Sequence, residues 1–182
     1  MPKGYIKAAD YLRGRKLAHP EAVDYFKIGV CNRTLGYYLP EGNRSNGARI
    51  RDELKQVGLL KSNGHEHFRG CITVRIMDEN GIITEIYGRR TSNPKTLPKH
   101  LYLPGPHKGI FNAASLKTSP EVIICEAIID ALTFWCHGYR YVTASYGTGG
   151  FTADHLAVLK EVERVYIAYD NDDAGNIAIT FF

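Results

Sequence analysis

"EVIICEAIIDALTFWCHG", residues 121–138, decides how this chain is read. Five β-favouring, mostly apolar residues run into Glu126, and an apolar-periodic stretch then closes at Gly138. The pattern predicts a buried strand, a carboxylate at its carboxyl end, and a helix stopped by glycine. It repeats downstream. "YVTAS" (141–145) reads as a strand, "GTGG" (147–150) as a turn, and "TADHLAVLKE" (152–161) as a helix capped by Thr152. "RVYIAY" (164–169) is a further strand, and "DDAGNIAIT" (172–180) starts another helix. Strand and helix in this alternation predict a parallel sheet with helices on its faces. The nearly continuous apolar character of the strands fits burial on both sides. In such sheets, ligands bind at the carboxyl ends of the strands.

Upstream the character differs. "IKAADYLRGR" (6–15) has helical spacing, with Ile6, Ala9 and Leu12 on one side. "PEAVDYFKIG" (20–29) opens with good first-turn residues, and "ARIRDELKQVGLL" (48–60) reads as a helix with Ile50, Leu54 and Val57 inward. "CITVRIMDENGIITEIYGRR" (71–90) is two β-rich runs around an Asn-Gly turn signal. "TSNPKTLPKHLYLPGPHKG" (91–109) is too proline-dense for regular structure and reads as an ordered crossing loop or a linker. The expected architecture is therefore an α+β lobe over residues 1–118, followed by an α/β lobe with a parallel sheet over residues 119–182.

Composition sets the class. Of the 182 residues, 44% are hydrophobic and 23% charged, the balance of a soluble globular protein. No apolar run approaches the ~20 residues of a membrane span, and the N-terminus lacks a secretory apolar core. Cys31, Cys71, Cys125 and Cys136 form no CxxC pair and read as reduced thiols in a cytoplasmic protein. "HEH" (65–67) has no second ligand pair at zinc-site spacing, so zinc is not expected and an exposed polar turn is. Residues 1–120 hold 20 Lys and Arg against 10 Asp and Glu, whereas residues 121–182 hold 3 against 9. A basic part joined to an acidic part suits a polyanion-binding surface beside a cation site.

The acidic part is patterned. Glu126 and Asp170 each follow a parallel strand, Asp130 lies one helical turn beyond Glu126, and Asp172 stands two residues beyond Asp170. Carboxylates gathered in this way repel one another unless a divalent cation joins them. The expected metal set is Glu126, Asp170 and Asp172, with Asp130 facing the same cleft and Asp173 in a cap or first-turn role. A few carboxylates of this kind suit magnesium or manganese, whose remaining ligands are waters and substrate phosphates. "GTGG" lacks the Lys-Ser/Thr of a nucleotide-hydrolase loop, and Tyr146 beside it reads as packing.

These residues carry a resemblance. "CEAIIDAL", "ASYGT" and "YDNDDAG" resemble the Toprim pattern of a glutamate followed by DxD, and more closely the DnaG-type bacterial primase family. That family has EGxxDxL, then ASxGT with a TADH-like helix, then YDxDxAG. "YLRGRKL…EAVDYFKIG" is similar to the family's opening segment, and "FRGCITVRIMDENGIITEIYGRR" to its hairpin. "PKHLYLPGPHKG" stands where the family has PKYxNSPET…KG. The likeness covers nearly the whole chain, with Ala127 in place of a glycine and Val74–Arg75 in place of Phe-Pro.

The resemblance implies catalytic carboxylates at Glu126, Asp130, Asp170 and Asp172. It also implies binding of nucleotide or nucleic acid by Arg69, Arg89, Lys99 and Lys108. It implies metal-dependent primer synthesis from nucleoside triphosphates on a single-stranded DNA template, with a replicative helicase partner reached through regions outside this chain. The family continues past the point reached at Phe182, so the residues present are expected to bind metal and nucleic acid yet synthesise primers poorly or not at all. A Toprim-type nuclease and a non-catalytic nucleic-acid-binding remnant are the alternative readings.

Overall fold

The computed structural model describes residues 3–78, 80–92 and 96–179. Phe181 and Phe182, whose apolar character closes the sequence, lie outside the described residues, as do Glu79 of the hairpin turn and residues 93–95. Helices α1 (Lys3–Gly14) and α2 (Pro20–Tyr25) precede strand β1 (Gly29–Val30) and helices α3 (Leu35–Tyr38) and α4 (Ser45–Gln56). The hairpin follows as β2 (Cys71–Met77) and β3 (Ile83–Arg90), then β4 (His100–Leu101) and the single turn α5 (Ala113–Leu116). The remainder alternates: β5 (Glu121–Cys125), α6 (Ile128–Cys136), β6 (Val142–Ala144), α7 (Ala153–Leu159), β7 (Arg164–Ala168) and α8 (Asp173–Ile179).

Residue period separates two sheets. In β2, Ile72, Val74 and Ile76 are all buried while Thr73 and Arg75 are less so, the alternation of a strand with one face on the core. Strands β1 to β4 form an antiparallel sheet in sequence order. In the second sheet, β5 lies between β6 and β7 and pairs in parallel with both. The parallel sheet expected from the sequence is present. However, β7, expected to be buried on both faces, has no fully buried residue and leaves Tyr166 exposed, because it stands at the edge of the sheet among the described residues.

One hydrophobic cluster serves both sheets. Leu12, Phe26, Ile72, Val74 and Tyr87 from the first part pack with Ile128, Leu132 and Trp135 of α6 and with Val142 of β6. Phe26 stacks on Phe111 at 4.6 Å and meets Trp135 edge-on at 5.1 Å. Aromatic contacts of this geometry add to the burial of the rings themselves.

Several local expectations need correction. The buried residues of α1 are Ala8 and Leu12, with Tyr11 packed against the same core, whereas Ile6 is half exposed. The inward stripe is therefore rotated by one residue from the expected set, to an i, i+3, i+4 face. Val57 lies just past the end of α4 and is exposed, so only Ile50 and Leu54 are partly covered. The proline-dense segment supplies β4, which pairs Leu101 with Gly88 and His100 with Arg89.

"HEH" is no exposed turn. Glu66 is buried and accepts the backbone N–H groups of Arg33 (3.1 Å) and Leu35 (2.9 Å) and the thiol of Cys31. A carboxylate satisfied by several donors can be buried where a lone one could not. Its presence and burial push the Cys31 thiol well above its ordinary range, burial being the larger cause.

Candidate metal centre and nucleic-acid interface

Register places the acidic residues. Cys125 is level with Ala144 of β6 on one side and with Ala168 of β7 on the other. Glu126, Ser145 and Tyr169 therefore leave the sheet at one edge, and Asp170 follows immediately. Asp130 lies in the first turn of α6, whose N-terminus rises from the same edge.

The loop after β6 is held by polar contacts. Tyr169 donates to the hydroxyl of Ser145 (2.7 Å), Ser145 donates to the carbonyl of Gly147 (2.9 Å), and the Gly147 N–H donates to the carbonyl of Glu126 (3.1 Å). Below it, His155 is fully buried. Its Nδ1 accepts from the Thr152 N–H (3.1 Å), which leaves Nε2–H to donate to the carbonyl of Ala144 (3.0 Å). Burial keeps this imidazole below its ordinary pKa and hence neutral. One side chain thus ties the start of α7 to the end of β6.

The turn "DNDDAG" is equally specified. Asp172 Oδ1 accepts the Gly175 N–H (2.8 Å), so Asp172 caps α8 and Asp173 stands in its first turn. A Cβ at position 175 would lie 2.0 Å from the carbonyl oxygen of Asp170, which only glycine avoids. Asp172 therefore has one carboxylate oxygen engaged in the cap.

Mutual repulsion is visible across this edge. Burial raises the pKa of Glu126, and the charges of Asp170, Asp172 and Asp130 raise it further. Burial likewise raises Asp130, with Asp170 adding to the shift, while Arg15 and Arg89 act against it. Four carboxylates thus sense one another at the carboxyl ends of β5 and β7. As placed, no three His, Cys, Asp or Glu side chains among the described residues converge on a common metal point. The donors are all hard carboxylate oxygens, two of them exposed, and such a set fits a hydrated divalent cation of the magnesium kind.

A basic cluster faces the acids. Arg89 is buried, donates through Nε to the Tyr11 hydroxyl (2.8 Å) and through Nη1 to Nε2 of His100. His100 Nδ1 then carries the proton and meets the Tyr87 hydroxyl at 3.0 Å. Burial first, then the charges of Arg89, Arg15 and Lys99, lower the His100 pKa to about 4. The guanidinium carbons of Arg15 and Arg89 stand 5.5 and 5.9 Å from the centre of the Tyr11 ring.

Of the four basic residues expected at the interface, Arg89 and Lys99 share this cluster. Lys108 is exposed on a segment fixed from both sides, since its carbonyl accepts from Thr84 (3.1 Å) and Tyr146 (3.0 Å). The adjoining Gly109 N–H donates to Asp154 of α7 (2.9 Å). Tyr146 is a packing residue as expected, stacked on His107 at 4.2 Å, and His107 in turn meets the buried carboxylate of Glu85 at 3.0 Å. Arg69 belongs to a different neighbourhood, beside His65 at 3.3 Å, lining a cleft with Arg33 and Arg51.

Arg15, Tyr11 and His100, which the fold gathers around Arg89, are not singled out by the sequence. The spacing of Tyr11 and Arg15, four apart and joined by a helical backbone bond of 3.1 Å, was the available signal. His100 offered none, because its role depends on pairing opposite Arg89 across two strands.

Comparison with known proteins agrees with this architecture. Residues 123–180 match the model of a Toprim-like family. The DNA primase of Borreliella burgdorferi is 26% identical over 192 residues, covering 93% of this chain and 34% of that protein. The DNA primase of Aquifex aeolicus is 29% identical over 195 residues, covering 95% and 39%. That of Campylobacter jejuni is 28% identical over 145 residues, covering 71% and 23%. The chain thus spans between about a quarter and two-fifths of the length of these relatives.

Among solved structures, a DnaG catalytic core superposes with a TM-score of 0.77 at 26% identity, covering 96% of this chain and 58% of that one. A DnaG primase catalytic domain bound to single-stranded DNA gives 0.76 at 26% identity, covering 98% and 60%. The chain resembles DnaG-type primase catalytic cores in sequence and in fold.

Proposed function

We propose that this chain is the metal-dependent core of a DNA primase, joining nucleoside triphosphates into short RNA primers along single-stranded DNA. One observation carries the reading: Glu126, Asp130, Asp170 and Asp172 stand at one sheet edge, where burial and the neighbouring carboxylates raise the proton affinity of Glu126 and Asp130, with Arg15 and Arg89 acting against the shift of Asp130. A site that concentrates negative charge and then borders it with arginines matches a reaction between a polyphosphate and a divalent cation.

In this reading Glu126, Asp170 and Asp172 hold magnesium or manganese, and Asp130 adds negative charge behind them. When bound, the cation neutralises phosphate oxygens and lowers the pKa of the attacking 3′-hydroxyl. Arg89 and Arg15 orient the incoming phosphates, and the hydrogen bonds of Arg89 to Tyr11 and His100 fix its guanidinium before substrate arrives. A neutral His100 can accept from Arg89 without opposing it, which its lowered pKa ensures. Lys99 and Lys108 extend positive charge along the path of the template, and Arg69 continues it towards the cleft that it lines with Arg33. The division of labour follows the chain: residues 1–118 supply the basic surface and residues 119–182 the acidic edge.

The deciding experiment is a primer-synthesis assay with a single-stranded template, labelled nucleoside triphosphates and magnesium or manganese, on this chain and on the protein extended through its reading frame. Metal-dependent product that disappears in Asp170→Asn supports the reading. Strand cutting without synthesis would transfer the same carboxylates to a nuclease.

A further inference from the structure

Away from the acidic edge, a cleft of about 580 Å³ opens between the end of α2, the turn of the β2–β3 hairpin and α5. That volume lies within the ~300–1,000 Å³ range of small-molecule sites. Phe26, Met77 and Ile110 give it apolar walls, and Arg75 lines it from the middle of β2. Arg75 occupies the position where the hairpin departs from the pattern it otherwise resembles.

The Nε of Arg75 is buried and has no hydrogen-bond partner among the described residues. Such an orphan donor is uncommon in a folded protein and disfavours the empty state. That arginine's charge is felt inside the cleft, since the Asp24 carboxyl is held below its ordinary range chiefly by Lys27 and further by Arg75. The cleft is also lined by Lys27 and Lys117 and by the carboxylates of Asp24 and Asp78; Lys27 is paired with Asp24 at 2.6 Å, and with Arg75 the three cations outnumber the two acids.

We propose that this cleft binds a phosphate-bearing mononucleotide, with Arg75 as the phosphate anchor and the apolar walls receiving the base. A guanidinium presents paired N–H donors that match phosphate oxygens, and desolvation around it strengthens the contact. The site lies apart from the carboxylates at the ends of β5 and β7, and its ligand needs no divalent cation. It does not depend on primer synthesis by the chain.

The test is equilibrium dialysis of labelled adenosine 5′-monophosphate against the whole chain in excess EDTA, which keeps cation-dependent nucleotide binding out of the measurement. Saturable binding at one site, competed by inorganic phosphate, is expected. Arg75→Gln should weaken it about tenfold or more, the effect of losing a charged hydrogen bond. Asp170→Asn should leave it unchanged. Scanning calorimetry should show Arg75→Leu, which carries no donor at that position, melting at or above the wild-type temperature, because the unsatisfied buried Nε–H has been removed.

Absence of saturation up to about 10 mM, or equal affinity in Arg75→Gln, would overturn the proposal. Displacement of the nucleotide by oligothymidylate would assign the cleft to strand phosphates and overturn the small-molecule reading. Should Arg75→Gln fail to fold, Lys117→Gln carries the comparison: a several-fold loss supports the site, and unchanged affinity removes it.

Discussion

Replacing Asp170 with asparagine should make the metal-free protein more stable while removing its response to magnesium. The side chain of Asp170 raises the pKa of both Glu126 and Asp130, so its charge is unfavourable to its neighbours whenever no cation is present. Asparagine keeps the volume and removes the charge. Two like charges 4 Å apart repel by about 1 kcal/mol in water and about 4 kcal/mol at the effective dielectric of a protein surface. Asp170 is exposed, so solvent and salt hold the effect near the lower figure, about 1 kcal/mol. For a chain of this size that corresponds to a rise in Tm of about 2–4 °C.

Magnesium should do the reverse, stabilising the wild type by about 1.4 kcal/mol at ten times its Kd and leaving Asp170→Asn nearly unmoved. Differential scanning calorimetry at pH 7.5 and low salt, in EDTA and in 10–20 mM magnesium (about ten times a weak Kd), reads both effects. The pH dependence has a fixed sign. A carboxyl whose folded pKa is raised holds its proton longer than in the unfolded chain, so repulsion is present above the folded pKa and relieved as pH falls through it. The advantage of Asp170→Asn should therefore shrink as pH falls from 7.5 towards the carboxylate range, where Glu126 and Asp130 take up protons ahead of ordinary carboxyls. Contributions from His100 and other groups are common to both proteins and cancel in the difference. A metal-free Tm lower in the variant, or an equal magnesium shift in the two, would refute the reasoning.

Other outcomes follow from single contacts. Asp172→Ala should lose about 1 kcal/mol of stability through the missing cap on α8, whereas Asp172→Asn should keep most of it and still lose the metal response; urea titrations of the two separate these roles. His155→Ala removes the ring's hydrogen bonds to Thr152 and Ala144 and opens a cavity in a fully buried position, so a loss of at least ~2 kcal/mol is expected from the same titrations. If Lys99 and Lys108 meet phosphates, the double change to Ala should flatten the salt dependence of single-stranded DNA binding by about one to two units of slope; an unchanged slope would return them to ordinary surface charge. His100→Gln should restore the stability that the wild type loses as pH falls from about 6.5 towards its pKa of about 4, because a histidine kept neutral by folding must otherwise be protonated there.

Much of this molecule could be read from its residues, and the reason is local. β5 and α6 announce themselves because the apolar period changes at Glu126, and the parallel register then follows from alternation alone. The acidic edge was legible for the same reason, since a residue that follows a buried parallel strand has only one edge to occupy. What escaped depends on pairing between distant segments. β4 is two residues long and forms only because Gly88 and Arg89 present a partner edge. Glu66 looked like surface because its satisfying donors come from Arg33 and Leu35, some thirty residues away. The inward face of α1 was misplaced by one residue because Ala8, a small side chain, packs closest to the core and contributes little to a hydrophobic pattern.

The hydrophobic cluster that runs from Leu12 through Val74 and Tyr87 to Trp135 and Val142 bears on how the chain can be dissected. A cut near Pro120 looks natural on the sequence, yet it would divide the core that Ile72, Val74 and Ile76 share with Ile128 and Leu132. Either half expressed alone should aggregate or bind chaperones, and the intact chain should melt in a single transition. An exchange of residues 1–120 between relatives must therefore carry the packing face of α6 with it.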